Sequence, residues 1–201
     1  MDNNRISLLE ELHYHRVFMR TDRAPFSLDV EPLVNPNEMK SFISDVFNHA
    51  LFLRGFENWI SPFNTEEINK DNSVKGHFKY EIGKAVIDKC AVGESVRIAI
   101  KNGFDANKLL NLPSNEVMEY VQKFIGLVVA ETRPVNISFI NAFAFACTLY
   151  DVVAKNRRQH LNCIALSVAS VFESAFPYEW IYYDFQQWAF AYVFRHRQIH
   201  N

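Results

Sequence analysis

The sequence predicts a mainly α-helical bundle, an expectation carried by three observations. Apolar residues recur at three-and-four spacing along most of the chain. The gaps between those runs hold Pro or Gly. Beyond about Glu116, four closely spaced apolar helical segments follow one another to Arg197, with connections short enough for antiparallel packing. The expected architecture is a single helical domain over residues 1–201. It has about seven to eight helices and room for a short extended segment near the N-terminus.

From the start, Ile6 to Arg20 sets Leu8, Leu9, Leu12 and Phe18 among charges. That suits a short helix, although Leu12 to Arg20 also alternates as an edge strand would. Pro25, Pro32 and Pro36 then break the chain into an extended connector. Its end, Asn35-Pro36-Asn37-Glu38, has the order of a helix start: a capping Asn, a Pro at the first helical position and a Glu at the reach-back site. Met39, Phe42, Ile43, Val46, Phe47, Ala50 and Leu51 give that helix one apolar face up to about Gly55. Glu57 to Lys75 is the most loop-like interior stretch.

Helices are expected from Gly76 to Cys90 and from Glu94 to Lys101, ended by Gly93 and Gly103, and from Asp105 to Leu110 before Pro113. Val117, Val121, Phe124, Ile125, Val128 and Val129 define the next. Ile137 to Lys155, Leu161 to Phe176 and Tyr178 to Arg197 complete the series. The charge-free run from Pro134 to Tyr150 contains Asn136, Ser138, Asn141 and Thr148. It falls short of the roughly 18 apolar residues of a bilayer crossing, so it is read as a buried core helix, with no membrane span.

With 49% hydrophobic residues and 18 Phe, the chain has enough apolar surface to offset the entropy of ordering and to fold without a partner. A net charge of −2 lacks the basic footprint of a nucleic-acid binder. An early helix-turn-helix would also be interrupted by the three prolines of residues 25–36. Cys90, Cys147 and Cys163 are odd in number and far apart, and two of them lie in apolar helical runs. That pattern points to a reducing, cytoplasmic compartment. No signal-peptide core precedes Glu10 and Glu11, so export by the general route is not expected.

The chemistry-bearing constellations are sparse. Glu10 and His13 share a helical face, with Glu11 and His15 close by, but a carboxylate-bridged di-metal site needs a second Glu-x-x-His and the chain has none. His196 and His200 stand four apart at a terminus, where cations favour a helix C-terminus. Gly76 to Lys84 fails as a phosphate loop, with six residues between its glycines where four are required and Ala85 in place of Ser or Thr. There is no G-x-S-x-G elbow and no G-x-G-x-x-G turn. A Cys–His nucleophile pair would have to be assembled in space, with Cys90 the cysteine nearest a loop. No structural metal and no cofactor are expected.

Three surface features remain. Lys155, Arg157, Arg158 and His160 form the densest basic cluster, able to clamp an anion or an acidic partner or simply to solvate a turn. Asn141, Ala144, Thr148, Asp151 and Lys155 share one side of their helix, as do Asp184, Gln187, Ala191 and Arg195 of theirs. Solvent exposure is the expectation for both stripes; the alternative turns Asn141, Thr148 and Asp151 into a polar cleft. The last helix is aromatic on two sides, with Ile181, Phe185, Trp188 and Tyr192 together and Tyr183, Phe190 and Phe194 roughly opposite. One cluster is expected in the core and the other on a docking surface.

The function expected by elimination is protein binding, as an adaptor, inhibitor, immunity-type or assembly subunit, with a protein partner or homo-oligomer contacting Tyr183, Phe190, Phe194, Arg157 and Arg158. The rival reading is a helical enzyme, or a bundle that binds an apolar small ligand, with a polar cleft between helices.

Overall fold

The computed structural model describes residues 33–56, 59–63, 78–154 and 158–199. Among them 82% are helical, in eight α-helices with no strand. These are α1 (Pro36–Leu53), α2 (Tyr80–Val92), α3 (Glu94–Lys101), α4 (Ala106–Asn111), α5 (Ser114–Glu131), α6 (Val135–Ala154), α7 (Leu161–Ala175) and α8 (Glu179–Ile199). A 3-10 turn, Arg158–His160, precedes α7. The expected segment from Ile6 to Arg20, with Glu10, Glu11, His13 and His15, lies outside the described residues, as does most of the loop-like stretch from Glu57 to Lys75.

The helix ends follow local chemistry. Asn35 Oδ1 accepts from the Asn37 N–H at 2.9 Å, with Pro36 opening α1, so one orphan donor is satisfied where the chain has no preceding carbonyl to offer. At the other end Gly55 takes φ +84°, a left-handed conformation that a side chain would strain. That turn lets the Phe56 N–H reach the Leu51 carbonyl and the Gly55 N–H reach the Phe52 carbonyl, both at 2.9 Å, which satisfies two orphan acceptors of the last turn. Asp105 caps α4 by accepting from Asn107 N–H at 2.8 Å. Just before α1 the chain is extended: Leu33 pairs with Tyr178 in a single antiparallel bridge and the Val34 N–H donates to the Pro177 carbonyl at 2.9 Å, tying the entry of α1 to the α7–α8 turn.

Helix α6 is the axis of the bundle. Thirteen of its residues are buried, and α1, α2, α3, α5, α7 and α8 all pack against it. On one side α2 also meets α1 and α8; on the other α5 also meets α3 and α7. By length and composition this helix could cross a membrane, a correction to the shorter run read from sequence, and 78% of its apolar window is covered by the bundle. In its second turn the Phe139 ring touches six others, at centroid distances from 4.4 Å (Phe185) to 5.8 Å (Phe42), the rest being Phe143, Phe172, Phe176 and Tyr182. One continuous hydrophobic cluster runs from Val34 to Ala189 through all eight helices.

Helices α1 and α2 approach closely at one point, where the His49 ring lies over Gly83 in the space a Cβ would occupy. The ring is held there by Phe78 and Tyr80, at centroid distances of 5.6 and 5.0 Å. Two effects of Gly83→Ala therefore compete. Helix propensity alone favours Ala by up to about 1 kcal/mol, whereas displacing a packed ring costs about 1–3 kcal/mol. We expect net destabilisation in urea unfolding; a variant more stable than the parent would show that the His49 ring is free to move.

Candidate functional site

Helix α8 divides into two faces. Its inner side holds Ile181, Tyr182, Phe185, Ala189 and Val193, all buried. Phe185, Trp188 and Tyr192 form a stack along it, with centroids 5.9 and 5.0 Å apart. The outer side presents Tyr183, Gln187, Phe190 and Phe194, which fall within about 60° on a helical wheel. Tyr183 is 41% exposed, Phe190 59% and Phe194 54%, and the last two rings stack on each other, 15° from parallel. The 4-3-4 spacing of these four residues is that of a coiled-coil seam. Glu179 stands at the N-terminal end of this ridge and accepts a hydrogen bond from the Tyr183 hydroxyl, with Glu38 near enough to act on the same group. That end of the ridge is therefore acidic.

Arg157 and Lys155 lie outside the described residues, as does the side chain of Arg158, while His160 is buried at the entry of α7 and is no part of a solvated turn.

The polar stripe of α6 faces inward, contrary to the solvent exposure expected for it. Asn141 is fully buried and its Nδ2 donates to Glu94 Oε2 at 3.3 Å. Thr148 is half-buried and donates to the Ala144 carbonyl at 2.9 Å. Asp151 forms an ion pair with Arg54, just beyond α1. The cause is that α6 is apolar nearly all round and is covered on every side, so its few polar groups have to find protein partners. Of the other stripe, Asp184 and Gln187 are exposed as expected, and the side chain of Arg195 lies outside the described residues.

An open groove of about 420 Å³ is lined by Asp45, Asn48, His49, Phe52, Phe56, Trp59 and Phe78. Asp45 and His49 are four apart on α1. Burial pushes the Asp45 carboxyl up and the His49 imidazole down, each toward its neutral form. His49 Nε2 and Trp59 Nε1 are buried without a hydrogen-bond partner. Sequence reasoning did not find this groove; the i, i+4 pair of Asp45 and His49 was the available signal. No group of three or more His, Cys, Asp or Glu residues able to hold a metal ion occurs among the described residues.

No family model, curated protein or solved structure matches the chain.

The His49 shift has a defined pH signature. Its native value lies below its unfolded one, so as pH falls through about 6.5 the unfolded chain takes up the proton first and stability is lost. The raised Asp45 acts with the opposite sign and at lower pH: its unfavourable ionisation begins only as pH rises past about 3.9. Between pH 7 and 5.5 the parent should lose stability relative to His49→Gln, and the His49 ring resonances should titrate below the ordinary midpoint. An unshifted midpoint would mean that the ring is solvated.

Proposed function

We propose that this protein is a protein-binding module and that the outer ridge of α8 receives a helix of its partner. The observation that supports this reading is the row of exposed aromatics, Tyr183, Phe190 and Phe194, at seam spacing on a helix whose other face is already anchored in the core. Aromatic side chains contribute large contact area at low entropic cost, and on a monomer a continuous aromatic strip would stay in water at a free-energy cost. The partner helix that fits carries apolar residues at matching three-and-four spacing, with Lys or Arg where it passes Glu179 and Glu38. Such a module would act by occupancy, as an adaptor, inhibitor, immunity-type or assembly subunit does. A second reading, small-ligand binding, is favoured by the Asp45–His49–Trp59 groove, whose volume lies within the range of ligand pockets.

Alanine variants of the two α8 faces separate stability from binding. Phe185→Ala should cost about 3–5 kcal/mol, because its ring is fully buried against Phe139. Phe190→Ala and Phe194→Ala should each stay within about 0.5 kcal/mol of the parent. A photocrosslinking amino acid in place of Phe190 should give a discrete protein adduct in native lysate, or a covalent dimer of the purified protein. The same group in place of the outward Glu119 should give neither. Equal destabilisation by Phe185→Ala and Phe190→Ala, or adducts that do not distinguish the two labelled positions, would defeat the reading.

A further inference from the structure

Two of the three cysteines, far apart in sequence, meet where α2 crosses α6. The Cys90 thiol, partly exposed near the end of α2, donates to the Ala144 carbonyl at 3.4 Å. Ala144, Cys147, Thr148 and Asp151 stand at i, i+3, i+4 and i+7, on one face of α6. Seating Cys90 on Ala144 thus brings its sulfur beside the buried Cys147, close enough for the two thiols to act on each other. Arg54 reaches the same spot from the end of α1, between Asp151, its ion-pair partner, and Cys90. Around Cys90 are therefore a second thiol, a hydroxyl and a guanidinium whose charge it shares with Asp151, while Lys89 beside it is turned toward Glu94, 3.9 Å away.

We propose that Cys90 and Cys147 are a hydroperoxide-reactive dithiol that closes to a disulfide between α2 and α6, with Arg54 as a positioning residue for the Cys90 thiolate. The surroundings divide the two sulfurs into roles. The hydrogen bond from Cys147 is the main influence holding the Cys90 thiol below its ordinary value; burial opposes it, and the Arg54 charge and the Thr148 hydroxyl add to it. The same contact, together with burial, pushes Cys147 well up. Cys90 is accordingly the attacking thiolate and Cys147 the resolving thiol.

In the first step the Cys90 thiolate attacks the distal oxygen of a hydroperoxide. The O–O bond breaks, Cys90 becomes a sulfenic acid, and the departing alkoxide or hydroxide takes a proton to leave as alcohol or water. In the second, the Cys147 sulfur attacks the Cys90 sulfur. An S–S bond forms, and the expelled hydroxide leaves as water with the proton of the Cys147 thiol. Two thiols and one hydroperoxide thus give one disulfide, one alcohol or water, and one further water. Cys163, on α7, is set apart: it contacts the Ser114 carbonyl at 3.9 Å, and burial pushes its thiol up.

Hydrogen peroxide added in near-stoichiometric amount to the purified, reduced protein tests this, read by free-thiol titration and peptide mapping. The parent and Cys163→Ser should lose the Cys90 and Cys147 thiols together and yield the Cys90–Cys147 linked peptide. In Cys147→Ser the reaction should halt at a Cys90 sulfenic acid that dimedone traps. Arg54→Lys should keep the rate within about twofold, whereas Arg54→Gln should slow it about tenfold. The parent alone decides the matter if a variant folds poorly. First oxidation at Cys163, a Cys90–Cys90 dimer, or Cys90 sulfinic acid without the link to Cys147 would overturn the dithiol. Equal rates for Arg54→Lys and Arg54→Gln would remove Arg54 from it.

Discussion

A twenty-residue helix with apolar side chains nearly all the way round has to be covered on every side, and in this protein that helix is α6. Phe139 gathers six aromatic rings around it. Its ring joins Phe42 of α1, Phe172 and the following Phe176 at the end of α7, and Tyr182 and Phe185 of α8. Tilted and edge-on aromatic contacts of this kind contribute about 0.5–1.5 kcal/mol each beyond the area they bury. Three helices distant in sequence are thereby oriented on one residue. The backbone pairing of Val34 with Pro177 fastens the same corner from outside.

The rest of the structure follows from that covering. With Phe185 and Tyr182 committed to Phe139, the orientation of α8 about its own axis is fixed, and Tyr183, Phe190 and Phe194 are left outside. The same enclosure governs the polar groups of α6. Ser138 donates to the Val129 carbonyl at 2.8 Å, Thr148 to the Ala144 carbonyl, Asn141 to Glu94, and Asp151 pairs with Arg54. These groups are satisfied by neighbours on α3, on α5, on α6 itself and just beyond α1, whereas Asn141 Oδ1 is buried without a hydrogen-bond partner.

The helices themselves were legible in the sequence because amphipathic periodicity and caps are local. Asn35, Asp105, Gly93 and Gly103 sit at the ends where their chemistry places them. The two faces of α8 were legible for the same reason, since the 3.6-residue period separates Phe185 from Phe190 whatever lies around the helix. Helix α6 resisted because an all-round apolar pattern has no direction, so Asn141, Thr148 and Asp151 could not be turned in or out from periodicity alone. The meeting of Cys90, Cys147 and Arg54 was equally hidden: it depends on where α2 crosses α6, and crossing points are set by side-chain packing between segments far apart in the chain.

The central claim, that α6 holds α1, α7 and α8 through Phe139, is tested most directly by equilibrium urea unfolding of Phe139→Ala, followed in parallel by tryptophan fluorescence and far-ultraviolet circular dichroism. If Phe139 is the shared support, stability falls by about 3–5 kcal/mol and the two signals still move together, because the helices lose a common anchor. A loss below about 1 kcal/mol, or a variant in which the fluorescence of the Trp180 and Trp188 helix melts apart from the remaining helical signal, would contradict the account.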